Sequence, residues 1–177
     1  MRRDQLAHVL RAAARIARDD QILVIGSNAI LGSFDEDELP AETTLSVEAD
    51  LAFFDDPDEL KSDLVDGAIG EDSVFHASFG VYGQGVGLTT AVLPAGWRDR
   101  LVVFDAGAAA PRRALCLEPH DLVVSKLVAG REKDYGFARA LLAVGLVDGD
   151  LLCARAEMLP CVPAVIRRVV AAVRRGA

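Results

Sequence analysis

Two short stretches in the N-terminal half carry groups that could hold a phosphate and a metal ion. The apolar run Ile22–Ile25 ends at Gly26 and Ser27, where we expect a short helix to begin. Glu48 and Asp50 follow about twenty residues later, two positions apart in a strand-like run, so their carboxylates should leave the same face. Helix starts favour anions, and Mg²⁺ favours carboxylate oxygens. Together the two stretches predict a site for a metal-bound nucleoside triphosphate, and the chemistry they favour is nucleotidyl transfer.

A second cluster lies in the segment Pro119–Asp134, where the sequence turns helical. Lys126 is flanked by leucine and valine residues, an unusual sequence context for a lysine. The chain contains only 3 lysines, compared with 16 arginines. A compact ammonium can be required where a guanidinium does not fit. A surface lysine whose stem packs on the core explains the pattern equally well. Asp121 shares the predicted helix with Lys126, and Arg131 and Asp134 follow just beyond it, in the half of the chain that holds most of the cations.

The two clusters, in this order, carry a resemblance to a known superfamily. Gly26-Ser27 followed by Glu48-Ala-Asp50 resembles the signature of the DNA polymerase β-like nucleotidyltransferases, which is Gly-Ser or Gly-Gly, a spacer and Asp-x-Asp. The run Ser125–Asp134 is similar to the downstream Lys-Leu-x-Ala…Arg-x-Lys-Asp segment of the minimal bacterial branch. That branch includes the AbiE-type and MenT-type nucleotidyltransferase toxins.

The resemblance implies roles for particular residues and for the partners of the protein. It implies transfer of a nucleoside monophosphate from a triphosphate to a tRNA, another RNA or a protein, and a toxin–antitoxin setting with a cognate antitoxin. Mg²⁺ or Mn²⁺ would bind Glu48 and Asp50. The implied site contains four catalytic and four nucleotide-binding residues, with one lysine in both sets: Glu48, Asp50, Lys126 and Asp134 for catalysis, and Gly26, Ser27, Lys126 and Arg131 for nucleotide binding.

The chain departs from the superfamily pattern in its acids. The first acid is Glu48 rather than aspartate, and the spacer between Ser27 and Glu48 is long. The third carboxylate of the superfamily comes from a later strand, and the best candidate strand, Leu88–Leu93, contains no acid. A catalytically silent module that binds nucleotide or regulates a partner is therefore the alternative. Two weaker alternatives remain. One is a structural partner protein that docks through Asp35–Glu38 or Arg167–Arg175, and the other is an antitoxin-like role.

The elements that must position these residues can be predicted from periodicity and turn residues. The resemblance and the pattern together indicate an α/β (α+β) fold, a small mixed sheet flanked by helices, with residues 1–118 as the nucleotidyltransferase-like core and residues 119–177 as a helical part packed on it. We predict, in chain order, a helix Arg3–Arg18, a strand Ile22–Ile25, a short helix Ser27–Ser33, a charged loop Phe34–Ser46, a strand Val47–Phe54, a helix from Asp56-Pro57 to Ile69, a hairpin Phe79–Leu93, strands Arg100–Phe104 and Ala114–Leu117, and helices Pro119–Gly130, Lys133–Val144, Asp150–Met158 and Val162–Arg175.

Composition limits the class of protein. With 177 residues, 51% apolar residues and a mean hydropathy of +0.25, the chain should form an ordered globule. It lacks a signal-peptide pattern and an apolar run of about 18 residues, so we expect a cytoplasmic protein that does not enter a membrane. Three cysteines without a Cys-x-x-Cys pair favour free thiols. The net charge of −8 combines −12 over residues 1–96 with +4 over residues 97–177, so a nucleic acid would need a local basic patch.

Overall fold

The computed structural model describes residues 1–107, 111 and 113–177. Its five strands are β1 (Ile22–Val24), β2 (Glu48–Phe53), β3 (Tyr82–Gly85), β4 (Val102–Val103) and β5 (Leu115–Cys116). The α-helices are α1 (Arg3–Ala17), α2 (Leu60–Ile69), α3 (Val74–Phe79), α4 (Pro119–Ala129), α5 (Glu132–Ala143), α6 (Gly149–Glu157) and α7 (Pro163–Arg174). Short 3₁₀ turns that lie wholly within the described ranges occur at Ser27–Gly32, Glu36–Glu38, Ala41–Thr43, Leu88–Thr90 and Trp97–Arg100.

The strands form one mixed sheet in the order β3-β2-β1-β5-β4. Strand β1 runs antiparallel to β2 and parallel to β5, and β2 runs parallel to β3. Because Val24 pairs with Leu51, the carboxyl end of β1 lies beside the amino end of β2. The turn after β1 and the acids at the start of β2 are therefore neighbours. The predicted fold class, a small mixed sheet flanked by helices and followed by a helical part, is confirmed.

The core lies between the sheet and the apolar faces of the helices. In α1 the apolar residues recur at three- and four-residue spacing, and Leu6, Val9 and Leu10 are fully buried. Every residue of β1 is buried, as expected for a central strand without polar positions. Helix α4 contacts α5, α6, α7 and the Ser27–Gly32 turn, so its valines and leucines are buried on more than one side.

The predicted start of α2 was four residues early. The carboxylate of Asp56 accepts hydrogen bonds from the backbone N–H groups of Lys61 and Ser62, both at 2.9 Å. Asp56 therefore caps the first turn of α2 although it lies outside the helix. Glu59, the residue that precedes the helix, has a left-handed backbone (φ 57°). The chain therefore turns once more before Leu60 begins the helix.

The predicted hairpin over Phe79–Leu93 was wrong. Tyr82–Gly85 forms β3, which pairs in parallel with β2, and the β-prone run after it forms the 3₁₀ turn Leu88–Thr90. A Cβ added at Gly85 would lie 1.9 Å from the carbonyl oxygen of Ser62, so this glycine allows α2 to pack directly on the strand. Pairing with β2 and contact with α2 thus outweighed local β propensity. Helix α3, which was not predicted, is a six-residue helix capped by Ser73.

Among the described residues, none of the helices combines the length and the hydropathy that a membrane span requires.

Candidate active site

The end of β1 and the start of β2 meet at Gly26 and Asp50. The backbone N–H of Ile25 donates to the carbonyl oxygen of Asp50 at 3.1 Å. A Cβ added at Gly26 would lie 1.5 Å from Asp50 Oδ2 and 2.5 Å from its Cγ, so the carboxylate rests on the bare backbone of the glycine. The φ of Gly26 is −88°, which any residue can adopt. Glycine is therefore required here for space rather than for backbone freedom.

Glu48 and Asp50 are alternate residues of β2 and leave the same face of the sheet, as predicted. Burial and the neighbouring Glu48 carboxylate raise the pKa of Asp50 to about 6, against the opposing effect of Lys126 and Lys133. Tyr82 pairs with Glu48 across the β2–β3 ladder, and burial together with this carboxylate raises the pKa of Tyr82 to about 12. The two carboxylates thus repel each other, and a bound cation would offset this repulsion.

Asn28, which sequence reasoning missed, holds the start of β2 in place. Its side chain is buried, and Nδ2 donates to the carbonyl oxygens of Glu48 at 2.6 Å and Ser46 at 3.3 Å. Its Oδ1 is buried without a hydrogen-bond partner among the described residues. Asn28 thereby ties the turn after β1 to the strand that carries the acids. An asparagine one residue after Gly26-Ser27 carries no sequence signal for this contact, which depends on the β1–β2 pairing.

Lys126 points into the site. It is 8% exposed, and its Nζ donates to Ser27 Oγ at 2.8 Å and to Asp134 Oδ1 at 3.4 Å. The ammonium also lies 4.6 Å from the centre of the Phe137 ring. Burial lowers the pKa of Lys126, and the Asp134 carboxylate partly offsets that effect. The alternative interpretation of Lys126 as a surface lysine is therefore wrong.

Asp134 anchors both cations of the second cluster. Its carboxylate is fully buried and accepts hydrogen bonds from Arg131 Nε at 2.7 Å and from the Arg131 backbone N–H at 3.2 Å, besides the contact with Lys126. Burial opposes the charged form of Asp134, but these hydrogen bonds and the two cations outweigh it and hold the pKa of the carboxyl below its usual value. The Arg131 side chain remains 61% exposed while it makes these contacts.

A cleft of about 230 Å³ joins the two clusters. It brings together six of the seven predicted site residues, and the seventh, Asp134, lies behind Lys126 and does not line it. Four polar residues outside the predicted set complete the polar wall, and three of them are hydroxyl-bearing. The lining residues are Ile25, Gly26, Ser27, Ser46, Glu48, Asp50, Thr90, Ala91, Val92, Ser125, Lys126, Val128, Ala129, Arg131 and Lys133.

The second carboxylate of helix α4, Asp121, belongs to a different cluster. It lies five positions before Lys126, which places the two side chains on well-separated faces of a helix with 3.6 residues per turn. Asp121 is fully buried and accepts hydrogen bonds from Arg100 Nε at 2.8 Å and Nη2 at 3.1 Å, while Arg155 Nε lies 3.6 Å away. These contacts tie α4 to the Trp97–Arg100 turn and to α6, so Asp121 is a structural residue.

A comparison with known proteins identifies the family. Residues 4–165 match the model of a family described as "nucleotidyltransferase of unknown function (DUF6036)". The chain belongs to this family. No curated protein and no solved structure matches it. The family description gives the nucleotidyltransferase class and does not extend to the AbiE-type or MenT-type branch.

The carboxylate donors of the cleft suit a cation that is shared with a bound ligand. Within residues 1–107, 111 and 113–177, no three or more histidine, cysteine, aspartate or glutamate side chains gather as a ligand set. Mg²⁺ commonly takes only one or two carboxylates from the protein and the remaining oxygens from phosphates and water. The Glu48–Asp50 pair therefore fits a metal that arrives with a triphosphate.

Strand β3, next to the acids of β2, presents an amide. Leu88–Leu93, the candidate for a third acidic strand, is not a strand. Gln84 of β3 pairs with Asp50 in register and so leaves the same face of the sheet. The neighbouring position on β3 therefore carries no third carboxylate.

Proposed function

We propose that this protein transfers a nucleoside monophosphate from a nucleoside triphosphate to a hydroxyl group of an RNA or protein acceptor, with the help of a divalent cation. The observation that carries the proposal is the cleft in which the Glu48–Asp50 pair and the ammonium of Lys126 lie together. Membership of a nucleotidyltransferase family supplies the reaction class. Acids on one wall and cations on the other are what a metal–triphosphate complex needs.

The cations would hold the phosphates. Lys126 already donates to Ser27 Oγ, and Arg131 and Lys133 line the same cleft with the backbone of Gly26 and Ser27 beside them. A triphosphate bound here would exchange these internal contacts for phosphate oxygens. Asp134 would keep Lys126 and Arg131 charged and oriented from behind. In the transfer, the acceptor oxygen bonds to the α-phosphorus and its proton passes to water. The bond from the α-phosphorus to the bridging oxygen breaks, pyrophosphate leaves with that oxygen, and Lys126 would stabilise the negative charge on this leaving group.

Glu48 and Asp50 would hold Mg²⁺ or Mn²⁺. A bound divalent cation would neutralise phosphate charge and favour attack by the acceptor hydroxyl. The carboxylates contribute the negative charge that attracts the ion, and Gly26 fixes the position of the Asp50 carboxylate. Asn28 fixes the backbone of Glu48.

A second candidate function is a silent module that binds nucleotide without turning it over. Gln84 favours it, because an amide stands opposite Asp50 and cannot take the proton of an acceptor hydroxyl. Such a module would bind the triphosphate at the same residues and would regulate a partner rather than modify it.

The cellular setting belongs to the proposal as well. The resemblance to AbiE-type and MenT-type toxins supports a role as the toxin of a toxin–antitoxin pair, with a cognate antitoxin as partner. The three free cysteines agree with a reducing cytoplasm.

Isothermal titration tests the assignment of the site. The purified protein is titrated with each of the four common nucleoside triphosphates, with Mg²⁺ and then with EDTA, beside Asp50→Asn and the control Asp63→Asn. Asp63 is an exposed acid on α2, so its change removes the same charge from a surface position. We expect Mg²⁺-dependent binding that weakens at least about tenfold in Asp50→Asn and is unchanged in Asp63→Asn. Equal affinity of Asp50→Asn and the wild type would refute the assignment.

A further inference from the structure

A second cleft, of about 260 Å³, lies between the start of α1 and the end of α3. Its lining combines charged, amide and aromatic groups: Arg2, Asp4, Gln5, His8, Phe79 and Val81. None of these residues belongs to the candidate active site.

Aromatic rings form one wall of this second cleft. The His8 ring stacks on Phe75 at 5.2 Å with 14° between the planes, and Phe79 meets His8 edge-on at 4.4 Å. Phe79 is nevertheless 51% exposed, so part of its ring faces solvent. His8 Nε2 is buried and has no hydrogen-bond partner in the described part of the chain. A planar ligand with polar edges would cover the exposed ring surface.

The two clefts lie at the same end of β2 and β3, on opposite faces of the sheet. Val81 lines the second cleft and precedes Tyr82, whose register partner is Glu48 in the first. A Cβ at Gly83 would face Val9 of α1, whereas Glu48 and Asp50 leave the other face. The Tyr82 ring lies 4.7 Å from His76 of α3, the helix that also carries Phe75 and Phe79. Helix α3 therefore bridges the two clefts around the edge of the sheet.

The surface beside the second cleft is basic within an acidic half of the chain. Residues 1–18 contain five arginines and one aspartate, although residues 1–96 as a whole have a net charge of −12. One of the five, Arg3, pairs with Asp35 and does not line this cleft. Arg2 lines the cleft and pairs with Asp4 at 3.1 Å, and Arg11 Nη2 lies 3.1 Å from His8 Nδ1. Arg15 follows four residues later, on the same side of the helix as Arg11, and is exposed. Exposed aromatic surface beside a row of arginines suits bases and phosphates.

We propose that the second cleft binds an unpaired nucleotide of a single-stranded RNA acceptor. The base would stack on Phe79, and the arginines of α1 would lie near the flanking phosphates. The strand would then pass over Tyr82 and His76 to bring a terminal hydroxyl to Glu48 and Asp50. Only unpaired bases can be stacked in this way, so the acceptor would be a single-stranded end rather than a duplex. The inference rests on the proposed nucleotidyl transfer and selects RNA from its two acceptor classes.

Fluorescence anisotropy with a short labelled single-stranded RNA tests the inference. The variants are Phe79→Ala, Phe79→Trp and the control Val162→Ala, which trims another exposed apolar side chain at the start of α7. Loss of one base–aromatic stack should weaken binding roughly 5- to 150-fold in Phe79→Ala. Phe79→Trp should bind as well as the wild type or better, because a larger ring preserves the stack, and Val162→Ala should bind unchanged.

Titration of the same variants with nucleoside triphosphate separates the two proposals. Phe79→Ala should keep the wild-type affinity for Mg²⁺–triphosphate, because Phe79 does not line the first cleft. Equal RNA affinity of Phe79→Ala and the wild type would overturn the inference, as would binding of a blunt duplex as tightly as the single strand. A wild-type protein that binds triphosphate but not RNA would also overturn it, and would leave the proposed function intact with a protein acceptor.

Discussion

Replacing Gly26 by alanine tests whether the Gly26–Asp50 contact builds the site. The added Cβ would lie 1.5 Å from Asp50 Oδ2, 2.5 Å from its Cγ and 3.0 Å from its Cβ, so the whole side chain of Asp50 must move. The backbone of Gly26 suits alanine, so no strain arises from the φ angle. Overpacking of this kind costs about 1–3 kcal/mol in unfolding free energy. That loss corresponds to a Tm lower by roughly 2–12 °C for a chain of this size.

The functional effect should exceed the effect on stability. Asp50 would leave the position in which it shares a cation with Glu48, and we expect the affinity for Mg²⁺–triphosphate to fall by at least about tenfold. Thermal unfolding and isothermal titration measure the two effects on the same preparations. A folded Gly26→Ala protein that binds triphosphate like the wild type would refute the reasoning.

Gly67→Ala is the matched control. Gly67 lies in the exposed part of α2. Apart from the neighbouring backbone of α2, no atom of the described residues lies within 4 Å of an added Cβ. Alanine in a helix interior stabilises by about 0.5–1 kcal/mol relative to glycine. Gly67→Ala should therefore raise the Tm by roughly 1–4 °C and leave triphosphate binding unchanged.

Two further predictions concern the buried charges. The folded-state pKa of Asp50 is raised to about 6 from 3.8, so its ionisation costs folding free energy that grows between about pH 4 and pH 6 and stays constant above that range. Asp50→Asn should accordingly be more stable than the wild type by up to about 3 kcal/mol near neutral pH, and this difference should vanish below about pH 4. Urea unfolding across this range measures it, and a difference independent of pH would contradict the argument. Arg100→Ala should lower the unfolding free energy by about 3 kcal/mol, because Arg155, which is more distant, is the remaining cation that pairs with Asp121 among the described residues. Its triphosphate affinity should stay at the wild-type value, and a loss of affinity in the folded variant would connect Asp121 to the site.

The sequence was most informative where a local rule determines the structure. The apolar run before Gly26 predicted a buried strand and a turn, and the two-residue spacing of Glu48 and Asp50 predicted a shared face. Both follow from the period of a strand. That Gly26 lies under Asp50 was not predictable, because the contact depends on the antiparallel register of β1 and β2.

Long-range packing determined what the sequence left open. The direction of Lys126 depends on how α4 packs against the Ser27–Gly32 turn, since either a surface or a buried lysine fits the same helix. The parallel pairing of β3 with β2 depends on a glycine that admits α2, and local propensity favoured a hairpin instead. The aromatic wall around Phe79 joins two helices that are distant in sequence, so spacing alone could not show it.

The most direct test of the central claim is transfer itself. The wild type and the double variant Glu48→Gln/Asp50→Asn are incubated with nucleoside triphosphates labelled at the α-phosphate, with Mg²⁺, and with total cellular RNA or protein as acceptor. We expect that label passes to an acceptor with the wild type, that EDTA abolishes the transfer, and that the double variant transfers none. Tight Mg²⁺-dependent binding of triphosphate without label in any acceptor would contradict this claim and would identify the protein as a silent nucleotide-binding module.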